Sequence, residues 1–323
     1  MSEFSQRIDL GAFSSKVNEI KQEAGKALVG QSQMLDLLIT GLFAGGHVLI
    51  EGVPGVAKTL AARLLAAMTQ ADFTRIQFTP DLMPSDILGT SVFNPKNGTF
   101  DYKQGPIFSN LVLIDEINRA PSKTQAALFE VMEEKQVSHD GSVYPLDELF
   151  MVVATQNPIE QEGTYRLPEA QLDRFLFKIN VSYPSQDEEE AVLALQNNMP
   201  SFKNLSFIRE VVSRDEVVGF REHLQAILAN GSMLKYIAEL IHKTREHPSL
   251  YLGASPRASI DLLKASKSFA AINGRDFITP EDVQYLLRPV VEHRMLLTPE
   301  AELQGITVQE VTQEIIRQVQ VPN

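Results

Sequence analysis

The sequence predicts an α/β protein in two parts: a parallel sheet flanked by helices over residues 1–184, then an all-helical part over 185–323. Three observations carry this reading. Apolar runs at His47-Val48-Leu49-Ile50, Leu111-Val112-Leu113-Ile114 and Leu149-Phe150-Met151-Val152-Val153-Ala154 alternate with helix-length stretches, the pattern of strands buried on both faces of a parallel sheet. Composition shifts near Tyr183-Pro184-Ser185, and helical patterns follow near 187–197, 215–229, 232–246, 256–272 and 280–293. Asn97-Gly98 and Asp140-Gly141 mark two hairpins inserted in the first part, since both turn positions accept positive φ. Ser185 with Glu188 reads as a capping box, and Thr279-Pro280-Glu281-Asp282 as another helix start. With 323 residues, 44% of them hydrophobic, the chain can bury one or two cores.

The first apolar run leads into Gly52-Val53-Pro54-Gly55-Val56-Ala57-Lys58-Thr59, followed by Leu60, Leu64, Leu65 and Met68 on one helical face. Strand, Gly-rich turn and helix in this order form a phosphate-binding loop. A triphosphate needs backbone N–H groups that approach closely, a helix N-terminus and a cation. Gly52 and Gly55 allow the approach, Lys58 can reach the β- and γ-phosphates, and Thr59 can ligate Mg²⁺. Ala57 stands where the common pattern has Gly. Its methyl group predicts crowding or backbone strain.

The second run ends in Asp115-Glu116. Ligands of open α/β sheets bind beyond the C-terminal strand ends. Asp115 can therefore hold Mg²⁺, directly or through water, and Glu116 can take a proton from an attacking water. The third run ends in Gln156-Asn157-Pro158. Asn157 can orient that water or touch the γ-phosphate; by itself, Asn-Pro equally starts a turn.

Taken together these residues resemble the AAA+ ATPases, and within them the MoxR branch. The motifs that carry the resemblance are Leu28-Val29-Gly30-Gln31, residues 51–59, 79–89 and 113–121, Ala154-Thr155-Gln156-Asn157-Pro158, residues 167–175 and Gly253-Ala254-Ser255-Pro256-Arg257-Ala258. They span nearly the whole chain in the family's order, and the family's loop usually has Ala before its Lys. The resemblance implies an AAA+ nucleotide-binding core with two β-hairpin inserts and an all-α lid. It makes Gly52-Val53-Pro54-Gly55-Val56-Ala57-Lys58-Thr59, with Leu60, the Walker A loop, and Asp115 and Glu116 Walker B. It makes Asn157 sensor 1, Arg174 an arginine finger for a neighbouring subunit's ATP, and Arg257 sensor 2, touching nucleotide. Val29 and Gly30 fall where the family contacts adenine. Mg-dependent ATP hydrolysis in a hexameric ring is implied, with ATP between the core and lid of one subunit and facing the finger of the next. So is chaperone-like remodelling or activation of partners, often metal-cofactor enzymes, alongside a von Willebrand factor A domain protein.

The arginines also stand on physical grounds. Arg174 sits between apolar anchors in Leu172-Asp173-Arg174-Phe175, where a charge needs a partner; Asp173 or a nearby acid would serve. Arg257 follows Ser255 as N-cap and Pro256 at the first helical position. A cation in a first turn opposes the helix dipole unless an anion is close.

A net charge of −12 and a pI near 5.0 argue against a non-specific nucleic-acid binder. With no cysteine, disulfides and thiolate metal sites are excluded. The six histidines show no zinc spacing and read as structural or surface residues. Phe108, Phe129 and Phe150 read as core; Glu130, Glu133 and Glu134 as a solvated helix face. Met1 to Leu10 lacks the apolar core of a signal peptide, and no apolar run spans a membrane, so the expectation is a cytoplasmic protein. Two other functions compete. A nucleic-acid motor related to AAA+ helicases is favoured by the hairpins and disfavoured by charge and by a tip, Ser138-His139-Asp140-Gly141, without Lys or Arg. A nucleotide-dependent scaffold that does not hydrolyse is disfavoured by the intact Lys58, Asp115, Glu116 and Arg174.

Overall fold

The computed structural model describes residues 10–158, 163–198 and 205–322. Met1 to Asp9, part of the segment read above for a signal peptide, lie outside them. In chain order the first part comprises α1 (Gly11–Ala24), α2 (Ser32–Ala44), β1 (His47–Gly52), α3 (Lys58–Met68), β2 (Phe73–Gln77), α4 (Pro84–Leu88), β3 (Gly89–Asn94), β4 (Thr99–Gln104), β5 (Leu111–Asp115), α5 (Ser122–Glu134), β6 (Gln136–His139), β7 (Ser142–Pro145), β8 (Met151–Gln156), α6 (Glu169–Leu172) and β9 (Phe175–Val181). Then follow α7 (Gln186–Asn198), α8 (Arg214–Leu224), α9 (Gly231–Glu246), β10 (Leu250–Leu252), α10 (Pro256–Ile272), α11 (Pro280–Val291), β11 (Leu296–Leu297), α12 (Pro299–Leu303) and α13 (Val308–Gln318).

Five strands pair in parallel in the order β2-β5-β8-β1-β9. Successive side chains of a strand point to opposite faces, and the core divides accordingly. Val48, Ile50, Leu111, Leu113, Met151 and Val153 face α1–α3 and the helices of the second part. Leu49, Val112, Ile114, Val152 and Ala154 face α5 with Phe129 and Phe150. The order matters for chemistry: β8 lies between β1 and β5, so the C-terminal ends of all three open side by side.

Both expected hairpins form, β3 with β4 and β6 with β7, with Gly98, Asp140 and Gly141 at positive φ. They pack on one another through Tyr102, whose ring lies 4.7 Å from His139 and 4.4 Å from Tyr144. Ser185 and Glu188 make the capping box that opens α7. The helix expected at 215–229 stops at Leu224, and Leu228 instead bridges to Phe277. The strongly amphipathic α13 extends the helical part beyond the last stretch read from sequence.

The lid is fastened to the core by a buried arginine. Arg294, only 4% exposed, pairs with Asp261 of α10 at 2.6 Å and with Asp173 of the core at 2.8 Å, and donates to the Phe175 carbonyl at 2.9 Å. Burial raises the Asp261 carboxyl above its ordinary value while Arg294 pulls it back. Arg294→Met would leave two half-buried carboxylates without their cation, which costs about 3–5 kcal/mol. The unfolding free energy from chemical denaturation should fall by that amount; a change under about 1 kcal/mol would mean that water replaces the guanidinium at a typical surface-pair value.

Candidate active site

β1 ends beside β9 so closely that a Cβ on Gly52 would sit 2.7 Å from the Val181 carbonyl oxygen; only glycine fits there. Gly55 has φ +89 and open space around the position a Cβ would take. Ala57 adopts φ 63, ψ 19, the left-handed region, as the residue that starts α3. The strain expected from sequence is therefore present, at about 1–2 kcal/mol for a non-glycine residue. It aims the opening turn of α3, which has no side-chain cap. The N–H groups of Lys58, Thr59 and Leu60 have no intrahelical acceptor, because the helical bonds begin with Ala61 donating to Ala57. N–H groups in the first turn of a helix suit phosphate oxygens. Lys58 donates to the Gly52 carbonyl and, at 3.4 Å, to that of Gln156, so its ammonium spans the mouth between β1 and β8.

Asp115 and Glu116 stand across this mouth. Thr155 of β8 donates to Asp115 Oδ1 at 2.5 Å and accepts the Glu116 N–H at 3.1 Å. Arg75 pairs with Asp115 Oδ2 at 2.6 Å. Glu116 has φ 57, and its Oε2 takes Gln77 at 2.8 Å and Arg119 at 3.0 Å. A left-handed glutamate held on two sides is strain kept in place by its surroundings, as at functional sites. Thr59 and Asp115 offer a hydroxyl and a carboxylate, hard oxygen donors that fit Mg²⁺. Bound there, the ion would supply positive charge to the phosphates. Asn157, buried at 7% exposure, follows the end of β8 and lines a cavity of about 470 Å³ with Glu51, Asn118 and Lys178.

A second cavity, of about 500 Å³, opens on the loop. Val29, Pro54, Gly55, Val56, Ala57 and Leu60 line it, with Tyr183 and the α7 residues Val192 and Leu193 opposite. A mostly apolar cleft of this size beside a phosphate cradle suits a purine ring. Tyr183, Val192 and Leu193 were not singled out from sequence; their signal was apolar residues left 67%, 41% and 69% exposed on and before an acidic helix. Gly30 has φ +75, and a Cβ there would meet the Glu188 side chain at 2.7 Å, so it closes the base of α7 onto this cleft.

Arg257 does not line this cleft. It joins Arg174 instead: Glu133 Oε2 takes Arg257 Nη1 at 2.7 Å and Arg174 Nε at 3.4 Å. Glu133 is thus no part of a merely solvated helix face; one carboxylate oxygen gathers a guanidinium from the lid and one from the core. The two arginines hold its carboxyl below the usual range, the hydrogen bond from Arg257 most strongly. Arg174 also lies 5.9 Å from the Phe129 ring. Its acidic partner is Glu133, while Asp173 serves Arg294 and Ser255. The hydroxyl of Ser255 is turned to Asp173 and makes no cap bond to α10, although Pro256 does open that helix.

Residues 47–177 match the family model described as the ATPase family associated with various cellular activities, and residues 242–315 match its AAA lid domain. The chain is 41% identical to Chaperone MoxR1 of Mycobacterium tuberculosis over 309 residues, covering 93% of this chain and 81% of that one. The chain belongs to the MoxR family of AAA+ ATPases. Protein YeaC of Bacillus subtilis, whose function is uncharacterised, is 47% identical over 93% of both chains. The crystal structure of a candidate ATPase from Cytophaga hutchinsonii superposes with a TM-score of 0.89 at 43% identity over 96% of both chains. As a MoxR-family AAA+ ATPase the chain binds nucleotide and hydrolyses ATP, with a parallel-sheet AAA domain followed by a helical lid. Among the described residues no helix is long and apolar enough to cross a membrane.

Proposed function

We propose that this MoxR-family ATPase hydrolyses MgATP at the junction between neighbouring subunits of a ring and uses the energy to remodel partner proteins. The observation that carries the reading is the meeting of Arg174 and Arg257 on Glu133, away from the chain's own nucleotide cleft. Two guanidiniums on one carboxylate oxygen make a site that accepts an anion in its place. The γ-phosphate of a neighbour's ATP would offer more negative charge than Glu133 and exchange with it. Within a chain, Gly52, Val53, Pro54, Gly55, Val56 and Ala57 cradle the phosphates, Lys58 offsets their charge, Thr59 and Asp115 hold Mg²⁺, and Val29 and Gly30 bound the adenine cleft. Glu116 takes the proton of the attacking water, which Asn157 orients. The division at residue 184 assigns α7 to the lid, so that nucleotide binding couples lid to core. The relative called Chaperone MoxR1 supports a remodelling role; the partners proposed for it, a von Willebrand factor A domain protein and a client enzyme, rest on the family resemblance alone.

Glu116→Gln tests this reading. It keeps the shape of the side chain and removes the base, so turnover should fall by about 10² to 10⁴ while MgATP stays bound. Native mass spectrometry of this variant with MgATP should show a closed ring. A monomer at saturating MgATP, or turnover near that of the unaltered chain, would overturn it.

A further inference from the structure

A cavity of about 630 Å³ opens where the end of α2 meets α8 and α10, and it shares no residue with the nucleotide cleft. Lys135, Arg221, Lys264 and Lys267 line it against two carboxylates, Glu148 and Glu222, in a chain of net charge −12. Gathering cations needs a cause, because each loses hydration and repels the others. Two have a local one. Arg221 donates to the carbonyls of Leu42 and Glu148 at 2.9 and 2.8 Å, which closes the C-terminal end of α2. Lys267 donates to the Gln225 carbonyl at 2.6 Å, just past α8.

These bonds leave capacity unused. Arg221 Nη2 is buried with no hydrogen-bond partner. Lys135 and Lys264 have no ion-pair partner among the described residues, although Glu148 is near enough to favour the charge on Lys135. Burial pushes the Arg221 guanidinium down to about 10. Lys135, exposed at the rim, is lowered first by partial desolvation and then by Arg221 and Lys264. A multiply charged anion would relieve all three, whereas a single carboxylate would neutralise one. Phe43, Leu224 and Leu263 supply an apolar wall, and the volume is that of a small-molecule site.

We propose that this cavity is a second anion site, separate from the catalytic one, that takes a small polyphosphorylated molecule on Arg221, Lys135 and Lys264. Charge-assisted bonds to phosphate oxygens would carry the affinity, and the apolar wall would receive the remainder of the ligand.

Tripolyphosphate is the probe, titrated calorimetrically at low salt into the full chain carrying Lys58→Ala, so that the catalytic loop does not compete. One saturable equivalent should bind. Adding Lys135→Ala and Lys264→Ala should weaken it at least roughly tenfold, since each removes a charge-assisted bond. The melting temperature should hold, because neither ammonium has a structural partner. Adding Arg257→Ala instead should leave binding intact. A second equivalent that Arg257→Ala removes belongs to the Arg174–Arg257 pair, whereas one that survives it would fault the loop assignment; neither outcome touches the site on Arg221, Lys135 and Lys264. No binding, or equal loss with Arg257→Ala, overturns the proposal. Loss of ring assembly in the Lys135→Ala/Lys264→Ala chain without any anion binding also overturns it, giving the groove to an acidic face of a second copy.

Discussion

Arg174→Ala should leave ATP binding unchanged and lower turnover by about 10³ to 10⁵, the contribution of an arginine that stabilises transition-state charge from a neighbouring subunit. The geometry separates the two effects. Arg174 is absent from the cleft at the phosphate loop, so the variant keeps every group that holds the nucleotide of its own chain. It loses only the cation that Glu133 gathers with Arg257. Mixed rings provide the decisive readout. An Arg174→Ala chain binds ATP but offers no finger, whereas a Lys58→Ala chain offers the finger but binds no ATP. At a junction where the first holds nucleotide and the second supplies Arg174, activity should return. Steady-state ATPase assays across mixing ratios, with mixed rings verified by native mass spectrometry, measure this. Verified mixed rings without recovery would return Arg174 to the role of a structural partner of Glu133. Full activity in the single variant would have the same consequence.

The difference between Glu133 and the loop shows what the sequence can hold. The loop was legible because its chemistry is local: Gly52, Gly55, Lys58 and Thr59 lie within one turn and one helix start, and the strand before them fixes their direction. The buried strand His47-Val48-Leu49-Ile50 was legible for the same reason, since an unbroken apolar run is read from neighbouring residues. The requirement that Ala57 bear the strain of φ 63 followed from position alone. Glu133 was not legible. Helical spacing showed only that it shares a face with Glu130 and Glu134, and its partners arrive from the segment before β9 and from α10, 124 residues away. Asp173 misled for the converse reason. It is adjacent to Arg174 in sequence, yet it is drawn to Arg294 and Ser255 by the packing of the lid. Tyr183, Val192 and Leu193 were missed because their apolar character reads as core until the fold leaves them at a cleft.

Lys58→Ala should abolish ATP binding at working concentrations without unfolding the chain. Lys58 donates to two carbonyls at the strand ends, Gly52 and Gln156. Both acceptors face the open mouth of the site, so water can replace the ammonium there at a cost of about 1 kcal/mol. The melting temperature without nucleotide should therefore shift little. With nucleotide the balance differs. The β- and γ-phosphates carry dense negative charge, and the other cation expected beside them is Mg²⁺ on Thr59 and Asp115. Removing one member of a close, partly desolvated charge pair costs about 3–5 kcal/mol, a loss of roughly 10² to 10³-fold or more in affinity. A ligand at 100 times its Kd stabilises the folded chain by about 2.7 kcal/mol, and a loss of that size removes nearly all of it. Thermal unfolding with and without MgATP thus separates the two contributions in one experiment. The unaltered chain should melt higher with MgATP, and the Lys58→Ala chain should melt at the same temperature either way. A full MgATP-dependent rise in that variant would mean that the nucleotide sits elsewhere, and the apolar cleft beside Val29 and Leu60 would then need another ligand.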